Sequence, residues 1–314
     1  MRTRPLGKTG LDVSELALGT WGLSGDAYGA VAESDQDHVI DRARALGITL
    51  FETADVYGDG AMEKKLGERF RNDPAARIVT KIGTDRKSSP VRKRFDAAYL
   101  REAFDRSRER LGRETIDVVL LHNPARVTLE RDEATGVLVE LRERGQIRGF
   151  GVSAGSVEVA RAAIARGAQV ISMSYHALFS SDVRALHDDI AKAGTGLLGH
   201  SVLGYGLLCG YWSLHKEFPS GDHRRERWTY DEIRRRVPQL NALRAMLGGE
   251  VGTLRGAALR FVLSNADLTA AILGPKSTLQ LDQLVREAGK EPPYLTDEQL
   301  TRFKNCLEDL GIST

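Results

Sequence analysis

The 314 residues predict a (β/α)8 barrel of the TIM type with an N-terminal β-hairpin and extra C-terminal helices. Three observations lead there. β-rich runs alternate with helical ones eight times along the chain. The runs VVLL and AAIL lack polar alternation, as parallel strands buried on both faces do, while the intervening helices are amphipathic. An open doubly wound sheet, the structural rival, would place GxGxxG directly after its first strand, and that place reads GTWGLSG.

The elements follow in order. ELALG at 15–19 is the first strand, and SDQDHVIDRARALG the first helix, with Ser34 to cap it and Gly47 to stop it. ITLFET leads to MEKKLGERF, RIVTK to AAYLREAFDRSRERLG, and DVVLLH to a helix around Ala134 to Arg144. IRGFGVS precedes a helix around Val157 to Arg166, and VISMSY one around Asp182 to Lys192. GLLGHS and the later TLRGAALRFVLSN form the seventh unit, and TAAILG with TLQLDQLVREA the eighth. Two regions lie outside this alternation. RPLGKTGLDVSE reads as a hairpin around Lys8 to Gly10 that could cover the bottom of the barrel. The stretch from Val202 to Gly252 is too long for a simple crossover, which marks it as functional or as a partner surface.

Bulk composition restricts the function. With 41% hydrophobic and 28% charged residues and a mean hydropathy of -0.30, the chain has the balance of a soluble protein with one large core, so residues 1–314 are read as a single domain. Forty-five basic residues against 43 acidic ones leave a charge of +2, too small a field to recruit nucleic acid or an anionic membrane. The local basic runs RKSSPVRKR and HRRERW read as solvated surface. Cys209 and Cys306 are the two cysteines, which excludes a disulfide scaffold and a CxxC metal pair and fits a reducing compartment. MRTRPLGKTG has no signal-peptide core and no window is apolar enough to span a membrane, so the cytoplasm is expected.

Barrel enzymes place their chemistry at strand C-termini and the loops after them. Glu52 ends the second strand, Tyr57 lies in the following loop, Lys81 ends the third strand and His122 the fourth. Each has an ordinary reading alone: Lys81 as an exposed strand end, His122 as a buried, hydrogen-bonded histidine. Together they put an acid, a phenol, an ammonium and an imidazole at one mouth, where burial without mutual pairing is expensive. The chemistry they suit is proton donation. A phenol is a weak acid near neutrality, and an adjacent ammonium favours its ionised form. Glu52 would keep Lys81 charged, and His122 could hydrogen-bond a carbonyl oxygen. HExxH and clustered carboxylates are missing, so the second reactant is expected to come from a cofactor.

The sequence resembles the aldo-keto reductases over essentially its whole length. The resemblance rests on PLGKTGLDVSELALGTWGLSG, FETADVYG, VTKIG, RSRERLGRETIDVVLLHNP, GQIRGFGVS, GHSVLGYGLLCG and AAILGPKSTLQLDQL, in the family's order and spacing. It implies a barrel that binds NADPH across its mouth and reduces a small-molecule carbonyl substrate, with hydride from the nicotinamide and the proton from a tyrosine. By position, Tyr57 matches the proton donor, Lys81 the lysine that tunes it, and His122 the tetrad histidine. Glu52 stands where the family has aspartate; Asp55 matches a variable position.

The resemblance also implies cofactor residues. Gly19, Thr20 and Trp21 match first-loop contacts, and Ser153 the serine of GVSN, whose asparagine is Ala154 here. Ser172 stands at a frequent glutamine, and His176 at the asparagine of the following YN pair. His200 takes the place of an aromatic that stacks on the nicotinamide. Ser201, Leu203 and Gly206 follow the loop over the pyrophosphate. Gly274, Lys276, Ser277 and Gln280 match positions at the adenosine 2'-phosphate and ribose, which favours NADPH over NADH. Leu284 replaces an adenine-binding asparagine. Trp21, Tyr28, Val56, Asn123, Pro124 and residues of the long insertion are expected to wall the substrate pocket. Two other readings stay open: a catalytically weak NADPH-binding regulatory subunit, and a lyase using Lys81 as a Schiff base.

Overall fold

In the computed structural model, which describes residues 1–312, eight parallel strands close into a barrel. An antiparallel hairpin precedes it, β1 (Thr3–Pro5) with β2 (Asp12–Ser14). The barrel begins with β3 (Leu16–Gly19), β4 (Leu50–Glu52) and β5 (Arg77–Ile82). A small excursion, β6 (Thr84–Asp85) with β7 (Arg92–Lys93), rises from the loop after β5. β8 (Ile116–His122), β9 (Ile147–Ser153), β10 (Val170–Ser174), β11 (Gly196–His200) and β12 (Leu268–Leu273) complete the ring, and β12 returns to pair with β3.

Alternation along each strand decides what faces inward. Ala17, Leu50, Val79, Val118, Leu120, Val170, Leu198, Ala270 and Ile272 form one interior cluster with Leu6, Leu11 and Val13 of the hairpin. The hairpin therefore stoppers the barrel at the strand N-termini, as expected. Gly7, at φ 55°, turns there against the backbone of Gln169 and Gly196, where a β-carbon would come within 2.5 Å of a carbonyl oxygen. Two residues on from those inward apolar positions stand Gly19, Glu52, Lys81, His122, Ser172 and His200. The same register that fills the core thus aims the polar set at the other mouth.

The outward face of the strands packs on the helices. Phe51, Ile78, Val119, Leu121, Phe150 and Ile171 belong to a second, larger cluster with helix residues such as Val39, Leu66, Leu100 and Phe104. Helix 97–111 shows why the elements form where they do. Asp96 caps it by accepting from the Tyr99 backbone N–H at 3.0 Å, its inner face buries Leu100, Ala103, Phe104 and Leu111, and Gly112 ends it at φ 61°. Replacing Phe104 by alanine in that packed layer costs about 3–5 kcal/mol by the usual large-to-small penalty.

One expected helix divides. The segment read as Asp182 to Lys192 is Ser181–Arg184 followed by His187–Ala193, and the break sends Leu186 fully into the core. Periodicity does not foresee this, because burial of one leucine outweighs the helix bonds given up between the two turns. The insertion is ordered: a 3-10 turn (Gly204–Cys209), a short helix (Arg224–Arg227) and a longer one (Tyr230–Arg244). The last packs with helices 254–263 and 297–309 around Leu240, Leu243, Met246, Phe303 and Leu307, and helix 297–309 is the extra C-terminal element. No helix among the described residues is long and apolar enough to cross a membrane.

Candidate active site

The strand C-termini open into a cleft of about 970 Å³. At its floor Lys81 projects from β5, 2% exposed, and makes an ion pair with Glu52 of β4, itself 4% exposed. The Lys81 Nζ also donates to the Thr53 carbonyl at 2.9 Å and to the Tyr57 hydroxyl at 3.0 Å. Its three N–H groups thus have three partners. The neighbour of Glu52 in register is Gly19, where a β-carbon would stand 2.6 Å from Ile272 and in ordinary contact, 3.4 Å, with the Glu52 Oε2, so packing against Ile272 is what requires glycine there.

Tyr57 is presented by a turn that stays stitched to the barrel. Thr53 N–H donates to the Val79 carbonyl at 2.8 Å, Asp55 N–H to the Lys81 carbonyl at 3.0 Å, and Gly58 N–H to the Asp26 carboxylate at 2.7 Å. The Tyr57 and His122 rings meet edge to face at 6.1 Å. His122 Nδ1 is buried with no hydrogen-bond partner, so the buried, fully bonded histidine is not what the site contains.

Burial and charge act against each other here. Burial opposes the Lys81 charge, yet Glu52 and Tyr57 outweigh it and hold the ammonium above its ordinary range. For Tyr57 burial dominates and pushes the phenol up to about 12, with Lys81 pulling the other way. The sequence-based expectation of a net acidified phenol is therefore corrected: Lys81 limits a rise that enclosure causes. Burial, followed by the Lys81 charge, drives His122 well below the usual imidazole range, and His200 falls to about 3 for the same reasons. Both rings are neutral near pH 7.

Gly19, Trp21, Ser153, His200, Ser201 and Leu203 all line the cleft, as do Gly206, Gly274, Lys276 and Gln280. Ser153 Oγ donates to the Asn123 side-chain oxygen at 2.8 Å, and the His200 Nδ1 lies 3.0 Å from the Ser201 hydroxyl. Lys276 Nζ donates to the Tyr28 carbonyl at 2.9 Å, and no carboxylate pairs with it among the described residues. Three expected contacts lie off the lining. Thr20 is buried with its hydroxyl on that of Thr53 at 3.0 Å. Ser172 points into the barrel below the cleft, its Oγ buried and unpartnered. Ser277 caps helix 278–288, accepting from the Gln280 N–H at 3.3 Å.

The basic runs need correction. Arg86 from the first and Arg224 and Arg227 from the second line the cleft, so these runs are not simply solvated surface. Arg86 donates to the Val56 carbonyl at 2.6 Å. Arg224 is fastened to Asp222, and Arg227 lies over the Tyr205 ring at 4.0 Å. The turn that carries them rests on the first loop, with His223 N–H donating to the Ala27 carbonyl at 2.9 Å and the His223 ring 4.6 Å from Trp21. Tyr205 and Trp212, from the insertion expected to contribute to the pocket, complete that wall with Arg255, which the sequence does not single out. The excess length of the insertion was the available signal; nothing in its composition says which residues turn inward.

A model of the aldo/keto reductase family matches residues 15–308. Pyridoxal 4-dehydrogenase from Microbacterium luteolum is 27% identical, the match covering 90% of this chain and 91% of that protein. Aldo-keto reductase yakc [NADP(+)] from Schizosaccharomyces pombe is 28% identical over 73% of this chain and 69% of its own. Among solved structures, the glycerol dehydrogenase AKR11B4 from Gluconobacter oxydans superposes with a TM-score of 0.85 at 25% identity, covering 99% of this chain and 97% of that one. The aldo-keto reductase AKR11C1 from Bacillus halodurans has a TM-score of 0.79 at 24% identity, over 98% and 96%, and speaks for the fold. With a family model spanning nearly the whole barrel, this chain belongs to the aldo/keto reductase family of NAD(P)-dependent oxidoreductases.

Proposed function

We propose that the protein is an NADPH-dependent reductase of small aldehydes or ketones, with Tyr57 as proton donor. The observation that carries the reading is the chain Glu52, Lys81, Tyr57 at the cleft floor: a buried ion pair whose ammonium donates to the phenol at 3.0 Å. Bound NADPH would supply the hydride. Tyr57 would give its proton to the carbonyl oxygen as charge builds there, and the ammonium beside it would stabilise the phenolate left behind. Neutral His122, which lines the cleft beside Tyr57, is suited to fix that oxygen by a hydrogen bond rather than by charge.

The residues present fit the cofactor. Lys276 offers an ammonium without a carboxylate partner at one end of the cleft, with Gln280 beside it, and suits a 2'-phosphate. Ser201, Gly204, Tyr205 and Gly206 all have left-handed backbone, a setting in which N–H groups can line an anion-binding concavity. The printed name of the fission-yeast relative, with NADP(+), supports the same preference. Against the lyase reading stands Lys81 itself. An ammonium held charged and spending every N–H on a partner is a poor nucleophile.

Fluorescence titration with NADPH and NADH, followed by a screen of small aldehydes and ketones, tests the proposal. Tight NADPH binding with turnover of part of the panel is expected. Normal NADPH affinity with no turnover would instead indicate a cofactor-binding regulatory subunit, and borohydride trapping of an adduct on Lys81 a lyase.

A further inference from the structure

Behind the Tyr57 turn sits a carboxyl group that the proposed chemistry does not use. Asp55 lies two residues before Tyr57, with its backbone N–H on the Lys81 carbonyl at 3.0 Å. Its Oδ1 is shut off from solvent and takes no hydrogen bond among the described residues, while the residue as a whole is half-buried. It does not line the cleft, so it is not placed to touch a substrate.

The surrounding charges explain why it is left alone. From helix 61–70 comes Glu63, fully buried, and from helix 97–111 come Tyr99, Arg106 and Arg110. Lys93 approaches from β7 and Tyr57 lies on the same turn. Each cation is committed elsewhere. Arg110 donates to Glu63 at 2.7 Å, Arg106 pairs with Glu102 at 3.5 Å, and Lys93 donates to the His122 carbonyl and the Thr84 hydroxyl, both at 2.7 Å. A carboxylate here has a like charge in Glu63 for company and no salt bridge to offset burial.

We propose that Asp55 is a positioning residue for the proton donor, a carboxyl group whose change of charge behind the turn sets how readily Tyr57 gives up its proton. The inference rests on the carbonyl-reductase reading. Burial, then Glu63, raises the Asp55 carboxyl to about 7, and an ionised Asp55 in turn makes the Tyr57 phenolate harder to form. The sign follows directly. Below the Asp55 midpoint the group is neutral and Tyr57 is the better acid; above it the new negative charge opposes phenolate formation and reduction slows. Arg110, then Arg106 and Lys93, oppose that rise because their positive charges favour ionised Asp55.

The test uses the full chain labelled with 3-fluorotyrosine and with aspartate carrying 13C in its carboxyl group. Tyr57→Phe and Asp55→Asn assign the two resonances. We expect the Asp55 carboxyl to titrate near neutrality and the Tyr57 fluorine to step at the same pH, with the step lost in Asp55→Asn. In turnover, wild-type kcat for reduction should fall roughly three- to tenfold across that step, and Asp55→Asn should lack the inflection. Lys93→Met should move the Asp55 midpoint upward, as removal of its positive charge requires. An Asp55 midpoint in the ordinary carboxylate range, or a Tyr57 fluorine indifferent to Asp55→Asn, overturns the proposal. The resonance experiments need no substrate, so their failure is distinguishable from failure of the carbonyl-reductase reading, which shows as absence of turnover.

Discussion

Glu52, Lys81 and His122 stand on strands whose inward register is shared all round the barrel, whereas Lys276 and Arg227 stand on a helix approach and an insertion. Glu52 and Lys81 are buried and fixed by one another, and half-buried His122 sits edge to face with Tyr57. Lys81 spends each donor on a protein partner. The second group borders solvent and is fastened to carbonyls and rings: Lys276 on Tyr28, Arg227 over Tyr205. A charge committed to protein partners can serve only a reaction that occurs beside it. A charge left without a counter-ion is free to meet one that arrives with a ligand. Mutation should therefore affect the floor through turnover and folding together, and the edge through affinity.

Lys81→Met breaks the floor most severely. It strands the Glu52 carboxylate, which should cost about 3–5 kcal/mol in urea unfolding besides abolishing turnover. Adding Glu52→Gln should recover part of the stability and none of the activity, since the stranded charge and the lost donor are separate injuries. If Lys81→Met leaves stability untouched, the buried pair is not what holds the floor. Glu52→Asp comes next. A shorter acid opposite Gly19 draws back from Lys81, and about a 10- to 100-fold loss in kcat is expected with NADPH affinity retained. A rise in kcat would mean that the longer acid belongs to some other reaction.

The edge should answer differently. Lys276→Ala is expected to weaken NADPH binding roughly tenfold, NADH binding hardly at all, with kcat at saturation preserved. Equal weakening of both nucleotides would remove the 2'-phosphate from Lys276. Arg227→Ala should be milder, about two- to fivefold in NADPH affinity or KM and lessened by salt, because the charge of an exposed cation at the cleft edge is screened by solvent and ions. Acid exposes the floor by stability alone. His122 and His200 have folded values below that of an unfolded imidazole, so the unfolded chain binds more protons as pH falls from about 6.5 towards 3. The urea midpoint should accordingly drop between pH 7 and pH 5, and His200→Phe should drop less.

The same division governs what the sequence discloses. Glu52, Lys81 and His122 are legible because a strand has one degree of choice, inward or outward, and apolar neighbours two residues away reveal it. Tyr57 is legible by its closeness to those strand ends. Arg227 is not, because the direction of a side chain on an insertion depends on where that insertion docks, here on Ala27 and Trp21, some 200 residues away in the chain. The break at Leu186 and the isolation of Asp55 depend on neighbours from several elements at once, which no local pattern encodes. Ser277 is a partial case: the right residue at a helix start, already employed as the cap.

The rate of NADPH oxidation by a turned-over carbonyl, compared in the wild type and Tyr57→Phe at matched cofactor saturation, tests the central claim most directly. A phenol that donates the proton predicts unchanged NADPH affinity and a kcat lower by about 10²- to 10⁴-fold without it. Wild-type turnover in Tyr57→Phe would contradict the account, because the ammonium 3.0 Å away would then be serving some group other than this hydroxyl.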